Sequence, residues 1–71
     1  MEHTVSIMDH PHRQDSWVPM AAFAFHVDAL HYARRLSNQD HLNRAVRVEG
    51  GNQYVNVYYR RGEEIVQEGA E

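Results

Sequence analysis

Ser16-Trp17-Val18-Pro19-Met20-Ala21-Ala22-Phe23-Ala24-Phe25 is the stretch on which the fold turns. Its apolar run, 17–25, is the longest in the chain and gives way at once to the polar residues His26 and Asp28. Two readings compete for it. In one, Ser16 caps a helix over 18–37, Pro19 occupies the tolerant first turn, and Met20, Phe23, Val27 and Leu30 form the buried stripe of a βαββ domain. In the other, 17–24 is a strand that pairs with 4–8 across the polar turn 9–15. The strand is preferred, because Thr4-Val5-Ser6-Ile7 otherwise has no local partner.

Outward from this stretch the pattern is plainer. Residues 28–36 have helical periodicity: Leu30, Ala33 and Leu36 form an apolar stripe flanked by Val27 and Ala29. Asp28 near the start and Arg34-Arg35 near the end suit the helix dipole, and Ser37-Asn38 supplies a stop. Further on, Ala45-Val46-Arg47-Val48-Glu49 and Tyr54-Val55-Asn56-Val57-Tyr58-Tyr59 both alternate around the breaker Gly50-Gly51-Asn52. Two such runs around a Gly-Gly-Asn turn predict a hairpin. Val46 and Val48 should share one face with Val55, Val57 and Tyr59, leaving Arg47, Glu49, Tyr54, Asn56, Tyr58 and Arg60 on the other. The expected fold is therefore α+β, ββαββ, with one helix across a four-stranded antiparallel sheet. Residues 1–62 make up its single domain. Glu63, Glu64, Glu68 and Glu71 surround only Ile65 and Val66, so 63–71 reads as an acidic, frayed tail.

Size and composition narrow the function. A chain of 71 residues makes one domain, and it buries only roughly 60% of the surface its unfolded form exposes. The absence of cysteine excludes disulfides and thiolate metal sites. A self-sufficient core, a dimer or a histidine-bound metal remain as sources of stability. No stretch approaches the roughly 18 apolar residues of a membrane span, and no basic segment precedes an apolar one as in a signal peptide. A cytoplasmic location is the expectation. The formal charge of −3 speaks against charge-driven nucleic-acid binding. All seven basic residues are arginine, the side chain best suited to specific, partly dehydrated contacts, and six histidines make the charge sensitive to mild acid.

Trp17-Val18-x-Met20-Ala21-x-Phe23, followed by Asp28-Ala29-x-x-Tyr32-Ala33-Arg34-x-Leu36, resembles a layout common in small bacterial and phage proteins. It is similar to that of some small anti-CRISPR proteins, which also place one helix on an antiparallel sheet. The resemblance covers about residues 4–61, and its matched positions are mainly core residues. It implies a packing arrangement and a small phage or mobile-element inhibitor, and it carries no functional residue across.

Candidate chemistry is sparse. Asp9-His10-Pro11-His12 offers two imidazoles, with Asp9, Asp15 or His3 as a third metal ligand. The same residues make an ordinary polar turn, and no second ligand pair follows at a recognised spacing, so no metal or other cofactor is expected. His26 and His31 stand about 140° apart around a helix and cannot form an i, i+4 ligand clamp. Ser6, Ser16 and Ser37 sit in no nucleophile motif, and no helix follows Gly50-Gly51 to make a phosphate loop. Enzymatic activity is therefore not expected. The uncovered sheet face remains, with Arg47, Tyr54, Asn56, Tyr58 and Arg60, residue types that concentrate binding energy but also stabilise plain exposed sheets. A non-enzymatic protein-binding module is the primary expectation. RNA or single-stranded nucleic acid stacked on Tyr54 and Tyr58, or a structural homodimer, are the alternatives.

Overall fold

β1 (His3–Met8) is an interior strand of the sheet, pairing antiparallel with β2 (Trp17–Phe23) on one side and β3 (Val46–Val48) on the other. β4 (Val57–Arg60) and β5 (Glu63–Ile65) extend the sheet beyond β3, giving the order β2-β1-β3-β4-β5 with every neighbour antiparallel. α1 (His26–Gln39) connects β2 to β3 and packs on one face. This computed structural model describes residues 2–9, 16–51 and 54–65. The class is α+β as expected, with five strands where four were expected. Among the described residues no helix is long and apolar enough to cross a membrane.

The stretch 17–23 is a strand, and its pattern was hard to read for a physical reason. The register shifts between Val5↔Ala21 and Ser6↔Pro19, so Met20 has no counterpart on β1 and forms a bulge. That extra residue breaks the two-residue alternation. It lets Ala21 lie beside Val5 and Val18 beside Ile7 on the helix side, while Trp17 lies beside Met8 on the other. β2 is an edge strand, where the missing N–H of Pro19 is tolerated and, with the bulge, discourages pairing with another chain.

The core lies between sheet and helix: Val5, Ile7, Val46, Val48 and Tyr59 meet Ala29 and Ala33, with Phe23, Leu30, Tyr32, Leu36 and Val57 around them. The deepest helical row is Ala29, Ala33 and Ser37, at i, i+4 and i+8, so small side chains let the helix approach the sheet closely. Ser37 is therefore no stop signal. Its hydroxyl donates to the Arg34 carbonyl (2.9 Å) and accepts the Gly62 N–H (2.9 Å), tying α1 to the β4–β5 turn. The helix continues to Gln39 and ends at Asp40. The Asp40 carboxylate accepts the Arg44 backbone N–H (2.6 Å) and its guanidinium (2.8 Å), which holds the carboxyl below its ordinary range. Ser37→Ala should leave the Gly62 N–H without its acceptor and cost roughly 1–2 kcal/mol in urea denaturation.

The C-terminal half departs from expectation twice. Residues 63–65, read as the start of a frayed tail, form β5. Arg60 pairs with Glu63, and between them Arg61 (φ 57°) and Gly62 (φ 80°) make a two-residue turn with both centres left-handed. Glu63 and Glu64 keep this second edge charged; the remainder of the predicted tail, 66–71, lies outside the described residues. The second departure concerns the β3–β4 connection. Strand pairing stops at Val48↔Val57, so the described residues 49–51 and 54–56 lie outside the strands where a tight hairpin was expected. Val46, Val48, Val57 and Tyr59 do share the helix-side face. Tyr54, Val55 and Asn56 lie outside any strand. Asn52 lies outside the described residues.

Candidate functional site

Three of the residues expected on the outer sheet face are there. Arg47 and Tyr58 are cross-strand partners, and Arg60 follows on the same side. The face is not open, however. Trp17 on β2 and Tyr58 on β4 are three strand gaps apart, about 14 Å at the usual inter-strand spacing, yet their ring centroids are 6.0 Å apart. The two side chains thus reach toward each other across β1 and β3. Arg47 lies over the Trp17 ring at 4.7 Å, and its guanidinium contacts Glu49 Oε2 at 3.4 Å. Met8 and Ser6 are buried on this face, and Tyr58 is only 8% exposed. This side of the sheet is a second, smaller core.

Tyr54 and Asn56 serve a different place. The Gly50 N–H donates to Asn56 Oδ1 (3.1 Å), and the Tyr54 N–H donates to the Gly50 carbonyl (3.2 Å). A Cβ on Gly50 would lie 2.7 Å from the Val55 carbonyl oxygen and closer still to that of Tyr54, so the loop folds on itself only because residue 50 has no side chain. Folded this way, the loop carries Tyr54 to the start of α1. There its ring stacks on His26, with centroids 4.1 Å apart and planes 4° from parallel. His3, on the helix side of β1, meets His26 edge-on at 5.0 Å. Its Nδ1–H donates to the Glu49 carbonyl at 3.0 Å.

Nothing in the local pattern of residues points to this cluster. His26 was weighed against His31, five residues on, whereas its partners are His3 and Tyr54, contributed by a strand and a loop far away in the chain. His26 Nδ1 is buried with no hydrogen-bond partner. Burial, and then the neighbouring His3, lower the His26 pKa from its ordinary value. His31 lies elsewhere, exposed between Asp28 and Arg35 over a shallow cleft of about 340 Å³ whose wall includes the Phe23–Tyr32 ring pair.

Around the His26–Tyr54 stack the surface is apolar. Phe25 is 69% exposed, Val27 54%, Tyr54 50% and Val55 82%. Phe25 and Val27 flank His26 in sequence, and Val55 follows Tyr54, so the stack pins two exposed apolar segments together. A groove of about 530 Å³ continues from this cap along Val57 and Tyr58 to Glu64 and Ile65. Glu64 is the one charged residue among its described lining, and exposed Asp28 lies in the first turn of α1. The other exposed large apolar side chains described are apart: Val18 and Met20 on the β2 edge, Leu42 beyond the far end of α1.

No described residues gather three or more histidine, cysteine, aspartate or glutamate side chains as for a metal ion. His10, His12 and Asp15 of the proposed metal loop lie outside the described residues. No protein-family model, no curated protein and no solved structure matches the chain.

Proposed function

We propose that this chain is a non-enzymatic protein-binding module that works through the apolar cap of Phe25, Val27, Tyr54 and Val55 and the groove beside it. The observation that carries this reading is the exposure of those four side chains, while the other Trp, Phe and Tyr side chains are partly or fully buried. Exposed clusters of this kind cost solubility, and an aromatic residue held at the centre of such a patch is a typical binding anchor. The occupant is a protein segment with apolar anchors flanked by lysine or arginine. Glu64 in the groove, Asp28 beside the cap and the overall charge of −3 complement it. A small cytoplasmic inhibitor, of the anti-CRISPR type that the layout resembles, is one concrete form of this proposal.

The alternative, nucleic acid stacked on a tyrosine and arginine sheet face, draws less support. Tyr58 has little exposed ring, Arg47 is engaged by Trp17 and Glu49, and Tyr54 is stacked on His26 away from that face. A selection from a displayed random-peptide library tests the primary reading. Enriched peptides should pair an aromatic or aliphatic anchor with lysine or arginine. Phe25→Ser/Val55→Ser should weaken them at least about tenfold, while Arg47→Glu, if folded, should not. Peptides indifferent to Phe25 and Val55 would remove the cap as the binding surface. A stable wild-type dimer dissociated by the same double substitution would replace the foreign partner by a second copy.

A further inference from the structure

We infer that the His3–His26–Tyr54 stack is a pH-operated latch on this docking surface: at neutral pH it holds Tyr54, and Val55 with it, against the start of α1, and protonation of His26 releases them. The inference deepens the docking proposal and rests on it for its consequence, but not for its mechanism. A neutral imidazole carries one N–H, and an imidazolium carries two. The neutral ring of His26 can leave its buried Nδ1 as a bare lone pair, at modest cost. The charged ring must place an N–H there, and no described residue offers an acceptor. Charging His26 therefore buries an unpaired donor in addition to a charge.

The surroundings act in the same direction. His3 is the titratable side chain facing His26 from β1, with its own Nδ1–H committed to the Glu49 carbonyl, so a second positive charge beside it is unwelcome. The Glu49 carboxylate is directed to Arg47 and does not compensate. From the loop, the facing group is the Tyr54 ring. On α1 itself His26 occupies the first turn, at the positive end of the helix dipole, and the cap residue Phe25 contributes no side-chain hydrogen bond. Asp28 in that turn is the one nearby carboxylate on the helix, and it is exposed to solvent. Glu2, before His3, is exposed as well.

The sign follows from linkage. The latched state has the lowered His26 pKa, and the released state has the ordinary value of 6.5. The released state thus binds the proton better, so the latch is at full strength above pH 6.5 and weakens as pH falls toward the latched pKa. One proton can change the opening equilibrium by about tenfold between pH 7.5 and 5.5, and by no more. Tyr54 and Val55 leave the cap together when the loop opens, because both belong to it.

Amide hydrogen exchange on the isolated chain reads the latch directly, since the Tyr54 N–H is bonded to the Gly50 carbonyl only in the folded loop. After correction for intrinsic exchange, Tyr54 protection should fall from pH 7.5 to 5.5, by at most about tenfold. In His26→Phe, which keeps a ring on Tyr54 but cannot take a proton, protection should be the same at both pH values. Protection independent of pH in the wild type, or equally dependent in His26→Phe, would overturn the latch. So would a wild-type His26 ring resonance titrating at or above 6.5, a readout that does not need the variant to fold. The affinity of a cap-binding peptide should follow the same profile. If the Tyr54 amide responds to pH and that affinity does not, the latch does not regulate docking. If the peptide ignores Phe25 and Val55 while the amide still responds, the docking proposal fails and the latch stands.

Discussion

Gly50→Ala is expected to unseat Tyr54 from His26 and to cost about 2–3 kcal/mol in denaturant unfolding, the upper range for forcing atoms into packed space. The collision is with backbone, not with the end of a flexible side chain. The new Cβ would meet the carbonyls of Tyr54 and Val55, which cannot rotate aside without breaking the Tyr54 N–H bond to Gly50. The bond from the Gly50 N–H to Asn56 goes with it. A 71-residue chain has only ~4–10 kcal/mol of total stability, so the loss is a large share of it. Most of the sheet and α1 should nevertheless survive, because no strand pair includes Gly50. The diagnostic readout is selective. The aromatic resonances of Tyr54 and the ring protons of His26 should shift toward exposed values while those of Tyr59, in the main core, stay put. Unchanged His26 and Tyr54 resonances in a folded variant would show that the loop needs no glycine at 50.

The same position shows how much of the fold was legible. Alternation revealed the face shared by Val46, Val48, Val57 and Tyr59, because a period-two pattern is a direct image of a pleated strand. It could not reveal that Tyr54-Val55-Asn56 leaves the strand, since those residues also alternate. What decides their path is the space at Gly50 and a side-chain bond to Asn56, tertiary facts with no period. The strand expected over 17–24 is there as β2, although the Met20 bulge cost it its alternation through one extra residue, so its pairing with 4–8 and not its pattern pointed to it. Ser37 was read as a helix stop because serine competes for backbone groups, yet here its hydroxyl bonds both within the helix and to the next turn. The acidic character of 63–71 outweighed the turn signal of Arg61-Gly62, and so β5 was missed. Of the expected site, Arg47, Tyr58 and Arg60 share a face as foreseen. Tyr54 was assigned to the wrong side because its face depended on the strand continuing. His3 and His26 are brought together by chain topology alone.

Trp17→Ala is expected to be the most destabilising substitution on the outer face, at roughly 3 kcal/mol. Met8 has no exposed surface and Ser6 almost none, although both point away from the helix. Trp17, opposite Met8, and its approach to Tyr58 account for that cover. Removing the indole uncovers apolar surface on β1, takes away the ring beneath the Arg47 guanidinium and leaves Tyr58 without its aromatic neighbour. The cation–π contact alone is worth about 0.5–2 kcal/mol, so the larger part of the loss comes from apolar burial. Trp17→Phe should recover much of it, while Arg47→Met should cost less than Trp17→Ala, because methionine keeps an apolar cover over the sheet. Urea unfolding of the three variants measures that order. Should Trp17→Ala cost less than Arg47→Met, the outer face would be held by the arginine and its ion pair with Glu49, and the indole would be a passenger. The expected order instead makes this face a structural layer, which leaves the apolar cap at the start of α1 as the surface free to meet a partner.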